Sequence, residues 1–198
     1  MTREKREPLA GAEVDPRVHA RLNAYLREPT LARFLATRAA MIESRRFDPK
    51  STVLPDVFRL LAKGLWHQTL AITRAAMGNW ILNPGIHFVT SQGLRELGQE
   101  ARAENEYELG RALLGGLRQT GDGSAERPYL VLRAADEYDI LSSLGLRCRA
   151  HQVAFRGGVA LDALACDDGR DVWFDVTAAA VPDPVRLARP HARFDAVA

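Results

Sequence analysis

The sequence predicts an α+β protein, with a helical N-terminal half that carries a small hairpin and a small α/β domain built on a three-stranded meander. Three observations lead there. Apolar residues recur every three or four positions from Val18 to about Leu65, the period of a helix with one buried face. From Cys148 to Ala180, short apolar runs alternate with glycine-containing turns, the pattern of strands. Between these regions lies TGDGSAE, residues 120–126, a polar glycine-bearing linker candidate. The expected organisation is an arm over 1–16, a helical domain over 17–119, an α/β domain over 127–181 and a peripheral tail over 182–198.

Composition narrows the class. With 198 residues, 46% hydrophobic and 26% charged, the chain is long enough to bury a substantial core. No apolar run approaches the roughly 18 residues of a membrane helix, and MTREKREPLAGAEVDP has no apolar stretch of the kind that heads a secreted protein, so a cytoplasmic location without a membrane partner is expected. Two cysteines, Cys148 and Cys166, make no disulfide framework. Charge is uneven. Residues 1–120 hold 18 Lys and Arg against 13 Asp and Glu, a net +5, while 121–198 hold 9 against 12, a net −3. A basic front suits phosphate and an acidic rear suits a cation, although ordinary solvated surface gives the same counts.

The front elements follow in order. Asp15-Pro16 places a capping residue before a proline at the first helical position, and Val18, Leu22, Tyr25 and Leu26 then mark one helix face. After Pro29-Thr30 a second helix carries Leu31, Phe34, Leu35, Ala39 and Ile42 on one side, with Arg45 and Arg46 near its end at about Phe47. A third helix holds Val57, Leu60, Leu61 and Leu65, and HQTLAITRAAM continues in helical period. Trp80-Ile81-Leu82, the turn Asn83-Pro84-Gly85 and Ile86-His87-Phe88-Val89 then predict a two-stranded hairpin, and a long helix is expected from Gln92 to about Arg118.

Helices followed by a strand pair ending in IHFVTSQGLREL resemble a winged helix-turn-helix domain over roughly residues 54–97, with Phe88, Val89, Thr90, Gly93 and Leu97 in the positions where the wing closes and enters the next helix. The resemblance implies a recognition helix around Gln68 to Met77. Gln68, Thr69, Thr73 and Arg74 would face the major groove, with Asn79 near phosphate and Arg45, Arg46 and Lys63 as further DNA contacts. His67 and His87, single residues beside aromatics, read as packing residues.

In the rear half, Tyr129 to Leu132 predicts a short strand and Asp136 to Leu144 a helix with Tyr138, Leu141 and Leu144 as apolar residues and Gly145 just past its end as a left-handed cap. CRAHQVAF, VALDALAC and DVWFDVTAA follow as three strands joined by tight turns. A helix with an acid, an Asp in one strand and an acid-x-polar triplet closing the next resemble the PD-(D/E)xK nuclease superfamily. That likeness implies Asp162 and Asp175 as ligands of Mg2+ or Mn2+, Glu137 as the helix acid, and Thr177 at the position where the family has lysine. The missing lysine implies weak or no cleavage. Alternatively, Asp162 bonds a loop amide and Asp175 caps the following segment, and neither touches a metal.

Other readings fit less well. WFDVT resembles the last strand of transglutaminase-like cysteine hydrolases, but Leu161-Asp162 stands where their histidine belongs and no cysteine opens an upstream helix. Cys148 and His151, three apart on a strand, face opposite ways and spoil a zinc site with Cys166 and His191. No GxxxxGK[ST] or GxGxxG motif occurs. The combined pattern resembles plasmid replication-relaxation and related bacterial DNA-handling proteins. It implies a DNA-binding protein, non-catalytic and without a cofactor, with a divalent-metal nuclease or a homodimeric protein-interaction adaptor as the alternatives.

Overall fold

The computed structural model describes residues 13–179, so residues 1–12 of the expected arm and the whole expected tail, 182–198, lie outside it. Among the described residues the fold is mixed α+β, with seven helices and a four-stranded mixed sheet. No helix there is long and apolar enough to cross a membrane.

The helices start where the sequence supplies caps. α1 (Pro16–Arg27) opens with the Asp15 carboxylate accepting from Arg17 N–H at 2.9 Å and buries Val18, Leu22 and Tyr25. α2 (Leu31–Ile42) opens on Thr30, and it stops five residues before the expected Phe47 because the chain turns through Ser44-Arg45-Arg46, held by Ser44 N–H to Met41 C=O. α3 (Val53–Ala62) ends at Lys63-Gly64, where Gly64 takes φ +68°, and α4 (Trp66–Trp80) begins at once.

The expected hairpin over Trp80–Val89 is not formed. Trp80 ends α4, and Asn83 is the N-cap of α5 (Pro84–Glu96), its side-chain oxygen accepting from Ile86 N–H at 2.9 Å with Pro84 in the first turn. The tripeptide read as a turn is thus a helix start. The single long helix expected after it is two, because Gly98 at φ +69° breaks the path and α6 (Glu100–Gln119) runs on from there. α5 and α6 lie against each other, with Gly110 beneath the Phe88 ring, while Gly116 of α6 lets Phe34 of α2 come so close that a Cβ would overlap its ring.

In the rear, β1 (Tyr129–Leu130), α7 (Ala134–Ser143), β2 (Cys148–Arg156), β3 (Val159–Cys166) and β4 (Asp171–Asp175) give a sheet of order β1-β4-β3-β2. β1 runs parallel to β4, and β2–β3 and β3–β4 are antiparallel. Gly145 at φ +71° closes α7 as expected, but Tyr138 is 56% exposed and Ile140 and Leu141 are the inward residues. One hydrophobic cluster joins the two halves: Val18, Leu22, Tyr25, Phe34, Leu113 and Leu117 of the helices meet Tyr129, Val131, Ile140, Leu164 and Phe174 of the α/β part. The linker candidate is built into this body, with Gly121 against the carbonyls of Arg127 and Pro128 and Gly123 accepting from Trp173 N–H at 2.9 Å.

Candidate functional site

Two regions collect the residues singled out by sequence. The first is the outward face of α4. Gln68 and Arg74 are exposed there, as are His67 and, in the turn before, Lys63. Thr69 and Thr73 are not available. Both are buried, and each hydroxyl donates within its own helix, Thr69 to Leu65 C=O at 3.1 Å and Thr73 to Leu70 C=O at 3.3 Å. Threonines four apart share a helix face, and on α4 that face is the inner one, with Met77 and Trp80. Asn79 is also engaged, donating to Asp48 C=O at 3.0 Å and accepting from the Asp48 N–H at 2.9 Å and from Arg133 at 3.2 Å.

Arg45 and Arg46 lie exposed on the loop after α2. Two shallow cavities meet at Arg46. One, about 310 Å³, is lined by Arg17, Ser44 and Arg45; the other, about 420 Å³, runs to Ser51, Asn79 and Trp80 against α4. Arg46 also pairs with Glu13 at 3.4 Å, with both side chains solvated.

The second region is the acidic rear cluster. The strand register separates the two aspartates expected side by side. Asp162 is paired with Phe174, and Asp175 with Leu161, so one carboxylate turns to each face of the sheet. Their surroundings agree. Asp162 meets Glu137 of α7 and lies 3.1 Å from His151 Nε2 on β2, while the charge of Asp175 is felt by Arg38 of α2 and its Oδ1 accepts from Thr177 N–H at 2.9 Å. Thr177 follows the end of β4, and its hydroxyl accepts from Ala160 N–H at 3.3 Å. A shared metal pair at Asp162 and Asp175 is therefore not assembled. Among the described residues no group of three or more His, Cys, Asp or Glu side chains is arranged to hold a metal ion. Cys148 and Cys166 are free thiols paired across β2 and β3.

What the fold does assemble is a carboxyl pair with an imidazole outside it. Glu137 is 2% exposed and its Oε1 has no hydrogen-bond partner. Burial first, and then the neighbouring Asp162 carboxylate, hold its pKa far above the usual range, which favours its protonated form beside Asp162. His151, half-exposed, stands on the solvent side of that chain.

Beside it runs a buried polar network that the sequence motifs do not announce. Asp136 accepts from Leu132 N–H at 2.8 Å and from Asn83 Nδ2 at 2.8 Å, and burial raises its pKa against the pull of Arg133. Asp139 accepts from the same Asn83 amide at 2.8 Å and from Gly85 N–H at 2.9 Å, and burial followed by the charge of Asp136 pushes it up to about 7. Arg133 lies over the Trp80 ring at 4.2 Å and donates to Asn79 C=O at 2.8 Å. His87 is buried with both ring nitrogens partnered, by Glu106 at 2.7 Å and Ile81 C=O at 2.9 Å, whereas His67 is exposed rather than packed. The signal for the network was present in the sequence: Asp136 and Asp139 are three apart on a helix that also supplies Ile140 and Leu141 to the core. Comparison of the chain with protein-family models, with curated proteins and with solved structures finds no match.

Proposed function

We propose that this chain binds DNA without cutting it, using α3 and α4 as a helix-turn-helix. The single observation that carries the reading is the link between them. Three residues, Lys63-Gly64-Leu65, join the helices through a left-handed glycine, the form such motifs take. In that arrangement the N-terminal turns of the second helix address base edges. Here those turns offer His67 and Gln68, with Arg74 seven residues beyond His67 on the same outward face. An Asn or Gln amide pairs with adenine and an Arg fork with guanine, so Gln68 and Arg74 are the base-reading candidates.

Besides Arg74 on the face itself, further positive charge flanks it. Lys63 lies in the turn, Arg46 borders the cavity that reaches α4, and Arg45 lines the neighbouring cavity that meets it at Arg46. These are suited to phosphate, which fixes position rather than sequence. No wing enters the proposal, since Trp80 ends α4, residues 81–83 are the turn and residues 84–89 belong to α5. The α/β part then serves as a body against which these helices rest: Leu54 of α3 and Met77 and Trp80 of α4 form a second cluster with Ile86, and Ala135 of α7 and the Arg133 guanidinium lie against it.

The test is fluorescence anisotropy on duplex DNA between about 50 and 200 mM salt, where each phosphate contact adds about −0.9 to the log–log slope. Arg45→Ala with Arg46→Ala is expected to flatten that slope by about one to two units for all sequences, and Arg74→Ala to weaken binding by about 1–3 kcal/mol at selected sequences only. A slope near zero in the wild type, or variants indistinguishable from it, would falsify the reading.

A further inference from the structure

β2 is the last strand of the sheet, and no described strand pairs with its outer side. Proteins ordinarily protect such an edge with lysine, proline, a short strand or a covering loop. β2 is nine residues long without Lys or Pro, all of it is exposed except Cys148 and Ala154, and its one irregularity is confined to the start, between Cys148 and Ala150. Its free backbone groups can be assigned. The Gly157-Gly158 turn, φ +57° and +84°, closes a two-residue hairpin on the pair Arg156–Val159, which is the hydrogen-bonded kind. Alternation from there turns the N–H and C=O groups of Phe155, Val153 and His151 away from β3 and out to the free edge. The side chains of these three lie on the sheet face that holds Asp162 and Phe174, yet Val153 is 55% and Phe155 66% exposed, because the cover of that face stops short of β2.

We propose that a second copy of this chain occupies the edge, its β2 antiparallel to the first about a twofold axis at Gln152, so that two four-stranded sheets become one. The charge pattern favours this occupant, and the length of β2 sets the register: an axis at Gln152, the midpoint of Cys148–Arg156, overlaps the whole strand with its copy and keeps the arginines apart. About Gln152 the strand is complementary to itself: His151 faces Val153 of the other copy, Phe155 faces Arg149 with a ring to receive the guanidinium, and Arg156 faces Cys148, beside the acidic turn of Asp167 and Asp168. Moving the axis half a residue, to between Gln152 and Val153, sets Arg149 against Arg156, and an in-register parallel pairing sets each arginine against its own copy. Both oppose like charges, and the half-residue shift also sets the outward groups of His151, Val153 and Phe155 against residues whose groups turn to their own β3. A twofold contact also closes on itself, so the edge is consumed rather than propagated into a fibre. This dimer does not rest on DNA binding and stands whether or not that reading survives.

Sedimentation of the full chain over a range of concentrations, with and without Val153→Lys, tests it. The wild type is expected as a dimer and V153K as a folded monomer, its fold checked by far-UV circular dichroism. In a Cys148→Ser background, Gln152→Cys is expected to give a disulfide-linked dimer on mild oxidation, since non-hydrogen-bonded partners lie about 4.5 Å apart at Cα. Glu96→Cys, exposed on α5, should not. A wild type that stays monomeric, a V153K protein that stays dimeric, or cross-linking no better at 152 than at 96 overturns the proposal.

Discussion

Burial favours a proton on Glu137 that an exposed glutamate loses. Its ordinary value of 4.5 rises to about 9 through burial and then through Asp162, so over that window the native chain keeps a proton that the unfolded chain releases. The contribution of Glu137 to stability is therefore fully present below pH 4.5 and is lost as pH rises toward 9. At about 1.4 kcal/mol per unit, the loss is on the order of 3 kcal/mol by pH 7. Glu137→Gln keeps the shape and a hydrogen-bond donor to Asp162 but does not titrate. Urea midpoints from pH 5 to 9 should show the wild type losing stability relative to E137Q as pH rises. A difference that stays flat with pH would mean that Glu137 is ionised in the native protein. Aspartates 136 and 139 titrate in the same direction, so only the comparison with E137Q isolates Glu137.

At the level of elements, Asn83 shows how a helix start can pass for a turn. Asn-Pro-Gly is a turn tripeptide, and it is equally an N-cap with proline in the first turn. The residues that follow decide between them: Ile86, Val89, Thr90, Gly93 and Leu94 are buried at helical spacing, a period legible in the sequence but overridden there by the β-prone run Ile86-His87-Phe88-Val89. α1 was legible because Asp15-Pro16 precedes a clear apolar face, whereas the split between α5 and α6 hung on the single left-handed Gly98. Asn83 does more than cap, since its amide also joins Asp136 and Asp139 of α7 to the start of α5. Asn83→Ala should accordingly cost about 2–4 kcal/mol, from the lost cap and from two buried carboxyls deprived of a donor. Chemical denaturation giving less than about 1 kcal/mol, the range of an ordinary exposed cap, would show that the network is dispensable.

Across the whole molecule, the same contrast separates what sequence reveals from what assembly decides. The residue types of the rear cluster were legible, and Glu137 and Asp162 do meet, but the place of Asp175 was not. A one-residue change in register moves a side chain to the other face of a sheet, and the turn Asp167–Arg170, closed by Cys166 N–H to Arg170 C=O at 2.8 Å, fixes that register. Domain organisation was obscured in a similar way. A Gly-rich polar segment marks a change of pattern, yet it cannot reveal that Phe34 and Leu117 share a core with Ile140 and Phe174. Because that cluster crosses residues 120–126, and Arg38 of α2 donates to Val131 C=O at 3.1 Å, neither half buries its share of this cluster without the other. Cooperative unfolding follows from shared burial, so the chain should unfold in one transition. Urea curves followed by tryptophan fluorescence, which reports Trp66 and Trp80 in the helices and Trp173 in β4, and by far-UV circular dichroism should coincide. Two resolved transitions, or residues 127–198 folding by themselves, would show that the junction is a linker after all and that the common core contributes little to holding the halves together.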